Sequence, residues 1–153
     1  LPVNTYGDRL DLYREPIGTD QPIEWFIANA SPRGLGVLFL ERHMRLTQAF
    51  IPVGAQGFFT VVAAPDAAED DDVPVLSALR AFWVPPGSAI QLHRGTWHEN
   101  PLPAAPDTRF LVTSHAALTV AHQQDPDPRL ASLPLDLERR WYRHAGFEVT
   151  IAA

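Results

Sequence analysis

Apolar residues in this chain occur in short runs that are rich in β-branched and aromatic side chains. Proline, glycine or aspartate bounds most of these runs. This pattern is typical of an antiparallel sandwich or barrel of many strands. It predicts strands over residues 24–28, 36–42, 48–51, 58–63, 79–84, 89–93 and 109–113.

Three proline- and glycine-containing segments between these runs predict tight turns, at residues 31–34, 52–54 and 85–87. Proline presets a negative φ, and glycine accepts the positive φ that such turns need. Strands joined by tight turns pair antiparallel. Proline supplies 15 of the 153 residues, about twice its usual share of roughly 5%, which disfavours a helix-rich fold.

Two polar segments interrupt the apolar pattern. Residues 65–74 include an acidic run and predict a solvated loop between two strands. Residues 123–134 are rich in proline and aspartate and predict a linker. After this linker, residues 136–145 predict a helix with Asp136 as its N-cap and Gly146 just beyond its end. The face of that helix would carry Leu137, Arg140, Trp141 and His144.

The expected organisation is one all-β domain over residues 1–153. It would comprise a cupin-like antiparallel β-barrel, or double-stranded β-helix, over 1–122, the linker over 123–134, and a C-terminal helix and tail over 135–153.

Charge and composition exclude several classes of function. Eighteen acidic residues against twelve basic ones give a formal charge of −6 without a basic stripe, so nucleic acid is not an expected partner. Cysteine is absent, so any metal site must use histidine, carboxylate or amide oxygen. No apolar stretch approaches the roughly 18–20 residues that span a bilayer. We expect a cytoplasmic protein with no membrane partner.

Two of the six histidines, His93 and His98, lie in one unusual segment, residues 91–100. Along a regular strand their side chains would point to opposite faces, because five steps is an odd number. A turn or bulge at Gly95 would bring both imidazoles to one interior space, with Glu99 or Asn100 nearby. The alternative is that one histidine is hydrogen-bonded in the wall and the other is exposed.

A second group of candidate residues lies where one predicted strand ends and the next begins. Glu41 and His43 share parity, so both side chains can point into the same interior, and Gln48 opens the following strand. Such groups are suited to a divalent metal such as Ni, Mn, Fe or Zn. The alternative is an ion pair at the end of a surface strand.

Several ordered segments resemble the signature of a known family. The segments are Glu41-Arg42-His43, residues 47–52, residues 76–82, Pro85-Pro86-Gly87 and residues 93–98, with a weaker echo at Tyr6-Gly7-Asp8. In order and spacing they resemble ureidoglycolate lyase, formerly called ureidoglycolate hydrolase. The resemblance covers about residues 36–113.

The resemblance implies a cupin-like homodimer that cleaves ureidoglycolate to glyoxylate and urea during allantoin degradation in purine catabolism. It also implies stimulation by a divalent metal, nickel among them, and no organic cofactor. His43 and Gln48 occupy the places of the second His and the Glu of the first cupin motif, and His98 that of the second-motif His. Glu41 stands where the first His would be, so the implied metal ligands are His43, Gln48 and His98.

The chain also departs from this family at several positions. Glu99 replaces a histidine, Ser114-His115 stand where Asp-Arg is common, and Asn29 stands where an arginine is usual. Two basic side chains are therefore missing near a pocket that must hold a carboxylate, which favours a related but different substrate.

Cleavage of this carbinolamide needs a base for the hydroxyl proton, an acid for the departing nitrogen and positive charge for the carboxylate. We assign proton transfer to His93, His98 and Glu99. Substrate contacts are assigned to Gln48, Arg94, Trp97 and His115. Arg94 would hold the carboxylate in its guanidinium fork.

Several of these residues also have an interpretation without a chemical role. Arg94 fits a solvated turn equally well, and Trp97 fits the core better than a stacking surface. His122 and His144 are interpreted as a linker residue and a helix-face residue without a chemical role.

Three functions therefore remain open at this stage. The first is a ureidoglycolate lyase-like enzyme. The second is a cupin-like lyase or hydrolase acting on a different small carboxylate or amide. The third is a non-catalytic module that binds a small acid, since a barrel fold does not dictate chemistry.

Overall fold

The computed structural model describes residues 4–5, 11–12, 16–68, 72–124, 133–146 and 148–152. Within these residues the chain is built mainly from short β-strands, with one α-helix. The strands are β1 (Asn4–Thr5), β2 (Asp11–Leu12), β3 (Ile23–Ala30), β4 (Gly36–Val37), β5 (Phe39–His43), β6 (Gln48–Pro52), β7 (Phe58–Ala63), β8 (Arg80–Val84), β9 (Ile90–Leu92), β10 (Trp97–His98), β11 (Leu102–Pro103), β12 (Thr108–His115), β13 (Leu137–Trp141) and β14 (Val149–Thr150). The helix is α1 (Ala116–Gln124), and 3-10 turns cover Leu76–Ala78 and Tyr142–Ala145.

Two larger antiparallel sheets organise the fold. One sheet runs in the order β11-β7-β10-β5-β13, with β8 on the other edge of β7, and the second runs β3-β12-β6-β9. Strands β1 and β2 pair with each other, as do β4 and β14. These observations confirm the all-β class and are consistent with a cupin-like fold. The described strands pair antiparallel. The expectation that strands joined by the turns at 31–34, 52–54 and 85–87 pair with each other is wrong, because each of these turns carries the chain from one sheet to another.

Aromatic side chains pack the two sheets together. Phe58 of β7 lies with its ring centroid 6.4 Å from that of Phe50 in β6 and 5.4 Å from that of Phe110 in β12. All three are buried, with Val84 and Leu92 in the same cluster. Because these residues alternate with outward-facing positions along their strands, one face of each sheet packs into this core.

The predicted strands are confirmed with small shifts of their ends, and the predicted turn at 85–87 is closed by the N–H of Ser88, which donates to the carbonyl of Pro85 at 3.2 Å. Residues 58–63 match β7 at both ends, and the predicted strand 36–42 is divided at Leu38 into β4 and β5. Gly34, Gly54 and Gly87 adopt φ values of +82°, +103° and +80°, as the turn prediction requires. Residues 69–71 of the acidic loop, 125–132 of the linker, and Tyr6-Gly7-Asp8 lie outside the described residues.

The predicted C-terminal helix over 136–145 is wrong, because most of this segment forms β13 on the outer edge of β5. In the β13 register Arg139 stands opposite Glu41, and Glu138 stands opposite Arg42. These two cross-strand pairs of opposite charge, together with the backbone ladder, outweigh the helical spacing of the sequence. Gly146 does end a helical turn in a left-handed conformation, φ +84°, but that turn is the short 3-10 segment Tyr142–Ala145.

The α-helix of the described residues instead follows β12 directly. Its sequence, AALTVAHQQ, contains neither proline nor glycine. Its first turn is tied to β12, because the backbone N–H of Leu118 donates to Nδ1 of His115 (3.2 Å). The linker prediction began inside this helix, at Gln123, and is wrong there. None of the helices described reaches the length and apolar character that crossing a membrane requires.

Candidate active site

A cavity of about 490 Å³ opens between the two sheets beside α1. Strands from both sheets and the cavity-facing side of α1 supply its walls. The lining residues are Phe26, Phe39, Glu41, His43, Gln48, Asn100, Val112, Ser114, Leu118, Thr119, His122, Gln123 and Arg139. A cavity of this size, with a mainly apolar wall and a few convergent polar groups, is typical of a small-molecule site.

Strand parity brings two candidate residues to this cavity. Phe39, Glu41 and His43 alternate along β5, and all three line the cavity, which confirms that Glu41 and His43 face one interior. On β10, His98 points to the same side of the sheet, and its Cα pairs with that of Glu41. Ligand atoms of Glu41, His43 and His98 all lie within 4.8 Å of one another.

The ring of His98 is held in one tautomer. Its Nδ1 lies 3.0 Å from the carbonyl oxygen of Thr96, which can only accept, so Nδ1 carries the proton. Nε2 therefore presents a lone pair, 3.8 Å from Oε1 of Glu41. A backbone carbonyl that fixes the remote nitrogen of an imidazole is a common arrangement behind a metal-binding histidine.

Burial keeps both imidazoles of this cluster neutral. It lowers the pKa of His43 to about 4, against the opposing effect of the Glu41 carboxylate. Burial also lowers the pKa of His98. The two histidine contacts to Oε1 of Glu41, at 3.9 and 3.8 Å, are thus contacts of a carboxylate with neutral rings rather than ion pairs.

Glu41 is the negative charge of the cluster, and Arg139 of β13 holds it in place. Nε of Arg139 donates to Oε2 of Glu41 at 2.9 Å, and Nη2 donates to the same oxygen. Burial by itself raises the pKa of Glu41, but the neighbouring imidazoles and the Arg139 guanidinium outweigh it and lower that pKa overall. Oε1 is left facing His43 and His98.

Several buried polar atoms of this cluster, and one of Gln48 on the same cavity wall, have no hydrogen-bond partner. They are both ring nitrogens of His43, Nε2 of His98 and Oε1 of Gln48. Gln48 uses its other side-chain atom, since Nε2 donates to the carbonyl of Thr113 at 3.3 Å. Unpaired buried polar atoms are costly, so their convergence at one cavity indicates a site built for a ligand. Two imidazoles, a carboxylate and an amide oxygen form a donor set that suits a divalent transition metal.

His93 and Arg94 do not reach the cavity. Gly95 turns the chain as expected, with φ +80°, and Thr96 donates its N–H to the carbonyl of His93 at 3.1 Å. This tight turn leaves the side chains of His93 and Arg94 exposed, and Arg94 contacts the carbonyl of Gly18. The expectation that His93 and His98 share one interior is therefore wrong: the turn at Gly95 places them apart, with only His98 buried.

Trp97 and Glu99 flank His98 in sequence and point to the opposite side of the strand. The indole of Trp97 is fully buried in a cluster with Leu40 and Val61, under the guanidinium of Arg42. Its predicted role in substrate binding is not supported by this position, because the residue packs in the core behind the sheet.

Glu99 is also fully buried, and its carboxylate binds the backbone at the point where β4 ends and β5 begins. Its Oε2 accepts the backbone N–H groups of Leu38 (2.9 Å) and Phe39 (3.3 Å), and its Oε1 lies 3.1 Å from Arg33. Burial raises the pKa of this carboxyl to about 7, against the effect of Arg33. Glu99 does not line the cavity, so its predicted catalytic contact with substrate is not supported.

The predicted substrate contact of His115 is likewise not supported, because both of its ring nitrogens are already used. Nε2 lies 2.5 Å from Oδ2 of Asp136, and Nδ1 accepts the N–H of Leu118. Asp136 also accepts the backbone N–H of Arg45 at 2.8 Å, so its carboxylate links the β5–β6 connection to the end of β12 instead of capping a helix. Ser114, the neighbour of His115, is the residue that lines the cavity.

Two ionisable residues of the cavity, Arg139 and His122, are not predicted from the sequence as site residues. The helical spacing predicts a helix at Arg139, although the charge-complementary pairs Glu41-Arg42 and Glu138-Arg139 indicate antiparallel strand pairing. The sequence prediction for His122 is a linker residue, although the nine residues that contain it have no helix-breaking residue. Both signals are visible in the sequence, but neither indicates a cavity without the fold.

Residues 8–138 match the family described as ureidoglycolate lyase. The chain belongs to the ureidoglycolate lyase family. The match includes every residue of the Glu41, His43 and His98 cluster as well as His122, and it confirms the resemblance carried by the ordered sequence segments.

Individual members of this family match over a shorter stretch. The ureidoglycolate lyase of Azotobacter vinelandii is 36% identical over 87 residues, which are 57% of this chain and 49% of that protein. That of Pseudomonas fluorescens is 38% identical over 94 residues, 61% of this chain and 53% of that protein. That of Salmonella enteritidis is 38% identical over 74 residues, 47% of this chain and 43% of that protein. The chain thus matches about half the length of these curated relatives.

Proposed function

We propose that this protein is a carbon–nitrogen lyase that cleaves ureidoglycolate to glyoxylate and urea by acid and base catalysis. The observation that carries the proposal is the set of unpaired, buried polar atoms of His43 and Gln48, together with the Glu41 carboxylate, on the wall of a small-molecule cavity. They occur in a chain of a family whose curated relatives are named ureidoglycolate lyase.

The cavity offers polar groups that suit part of this substrate. The side chains of Gln48, Asn100 and Ser114 offer amide and hydroxyl groups for the ureido end. The guanidinium of Arg139 also lies on the wall, but its charge is paired with the Glu41 carboxylate. The basic side chain that the family commonly has next to the Ser114 position is missing, so the preference for ureidoglycolate rests on the curated relatives, which are named ureidoglycolate lyase.

We also propose that Glu41, His43 and His98, with Gln48 on the same cavity wall, hold a divalent cation, with nickel, manganese, iron and zinc as candidates. When bound, such a cation would polarise a substrate oxygen and stabilise negative charge that develops on it. The roles of the protein residues are distinct from this. Arg139 orients the Glu41 carboxylate, and Thr96 orients the His98 ring.

The homodimer implied by the resemblance is also a proposal, and the outer strand of the second sheet supports it. Strand β3 lies at the sheet edge, and its alternate residues Ile23, Trp25 and Ile27 are exposed. An exposed apolar edge strand is a surface that proteins usually cover. We also propose that the chain forms a single domain.

The test is an assay of both products from ureidoglycolate, with the uncatalysed rate subtracted. Protein stripped with a chelator and reloaded with each candidate metal should release glyoxylate and urea in equal amounts. Ammonia in place of urea would identify a hydrolase acting on the ureido group. A folded, metal-supplied protein that releases neither product would overturn the lyase proposal and leave a binding module.

Metal content of the same samples tests the cation site apart from turnover. We expect about one bound metal ion per chain in the wild type and its loss in His98→Asn. In that variant a side-chain N–H remains for Thr96, but Nε2 is removed. The matched control is His144→Asn, an exposed histidine distant in sequence from the cluster. Equal metal content in His98→Asn and wild type would contradict the site.

A further inference from the structure

His122 is a cavity residue to which neither the sequence analysis nor the family match assigns a role. It lies on α1 with Leu118 and Thr119, one helical turn earlier, on the side that lines the cavity. Leu118 is buried against Leu46 and Leu137, which fixes the orientation of this side of the helix. The His122 imidazole therefore lies on the cavity wall formed by α1.

Two further contacts fix α1 at its start. The hydroxyl of Thr119 donates to Glu24 of β3, and the N–H of Ala116 donates to the carbonyl of Pro22 at 3.2 Å. Together with the Leu118 bond to His115, these contacts anchor the first turn of the helix to both neighbouring elements. A side chain that must meet a substrate benefits from such a rigid support.

The ring of His122 differs from the other histidines near this site. His115 has both nitrogens engaged, and His43 and His98 lie deep in the Glu41 cluster. Within the described ranges, the half-buried ring of His122 makes no hydrogen bond. It is thus positioned to contact a small molecule in the cavity without giving up an existing partner.

Charged groups surround His122 across the cavity. Glu41 and His43 of β5 and Arg139 of β13 line the other wall, and Glu24 of β3 lies beneath α1 at Thr119. Burial lowers the pKa of the His122 imidazole, with Glu41 opposing and Arg139 reinforcing the shift. A neutral ring at neutral pH can accept a proton.

Building on the proposed function, we propose that His122 is the proton-transfer residue of the reaction. Its imidazole takes the hydroxyl proton of ureidoglycolate. The carbon–oxygen double bond of glyoxylate forms as the carbon–nitrogen bond breaks, and the electron pair of that bond leaves with the nitrogen. The imidazolium then returns the same proton to this nitrogen, which departs as urea. The imidazole ends neutral, so the step requires no further reactant.

The test compares His122→Gln with His144→Gln, which removes an exposed histidine elsewhere. We expect His122→Gln to lower kcat by roughly 10²- to 10⁴-fold, the usual contribution of a positioned acid or base, with little change in KM. His144→Gln should keep wild-type kcat. Full activity of His122→Gln alongside an active wild type overturns this inference alone, whereas an inactive wild type overturns the proposed function and the inference together.

A second measurement separates proton transfer from a purely structural role. Added imidazole should restore part of the kcat of His122→Ala, since the cavity has room for a free ring, and it should not change the rate of His144→Gln. In the wild type, the ring NMR signals of His122 should shift when ureidoacetate, an analogue without the hydroxyl group, is added. An unchanged His122 signal at saturating ureidoacetate, or no rescue of a folded His122→Ala, overturns the proposal.

Discussion

At the residue scale, strand alternation places the adjacent side chains of Trp97, His98 and Glu99 on opposite sides of the sheet. His98 faces the inter-sheet space and joins Glu41, while Trp97 and Glu99 face the other side and support the sheet. Sequence spacing identified all three as candidates, because it contains the residue types of a site. It could not separate them, since which face of a two-residue strand is interior depends on its neighbours.

Glu99 gives a residue-scale prediction in its pH dependence. Its pKa of about 7 in the folded protein lies above the usual 4.5. Between these values the folded state keeps a proton that the unfolded state has lost, so raising the pH removes stability. We expect the free energy of unfolding of wild type, minus that of Glu99→Gln, to be greatest below pH 4.5 and to fall as pH rises through about 7. The fall should be a few kcal/mol, because one pKa unit corresponds to about 1.4 kcal/mol.

Urea unfolding of both proteins from pH 4 to 8 measures this difference. Glu148→Gln, a change at an exposed glutamate, controls for the loss of one negative charge. A wild-type minus Glu99→Gln difference that stays constant, or increases, across this range would contradict the assigned burial of the Glu99 carboxyl.

At the element scale, β13 is the strand whose residues were expected to form a helix. The site depends on this strand. It pairs with β5 over five residues and delivers Arg139 to Glu41. Its entry is fixed by Asp136, whose carboxylate accepts from Arg45 and contacts His115. A helix over the same residues would satisfy its own backbone, but it would leave the edge of β5 and the Glu41 carboxylate unpaired.

Asp136→Ala tests this junction. It leaves the buried ring of His115 and the partly buried N–H of Arg45 without their acceptor. Because an unpaired buried donor costs about 1–3 kcal/mol, we expect the free energy of unfolding to fall by at least about 1 kcal/mol. Asp66→Ala, at an exposed aspartate, should change it by less than about 0.5 kcal/mol. Denaturant titrations of the three proteins give these values, and equal stability of Asp136→Ala and wild type would refute the role of the junction.

At the scale of the whole molecule, the exposed face of β3 predicts association. Trp25 is 52% exposed and Ile27 is 66% exposed, on the outward side of an edge strand. We expect the wild type to sediment as a dimer at micromolar concentrations. Ile27→Arg should sediment as a monomer with an intact fold, because a dimer would have to bury the arginine charge against the second copy. Leu135→Arg, at another exposed apolar position, is the matched control and should remain dimeric. A monomeric wild type would count against this interface.

Local sequence patterns are sufficient to predict the strand content and the family of this chain. These patterns are short β-branched runs, glycine positions that accept positive φ, and an ordered set of motifs. They also identify Glu41, His43, Gln48 and His98 as candidate residues, because alternation along a strand is a local property.

Which of the candidate residues lie together depends on the fold and not on local patterns. The fold places His93 and Arg94 outside, uses Trp97, Glu99 and His115 for packing, and brings Arg139 and His122 to the cavity. The physical reason is that the site is made by contacts between residues far apart in the chain. The Arg139 to Glu41 contact joins residues 98 positions apart. Such contacts depend on which strand edges pair and on what burial each face provides.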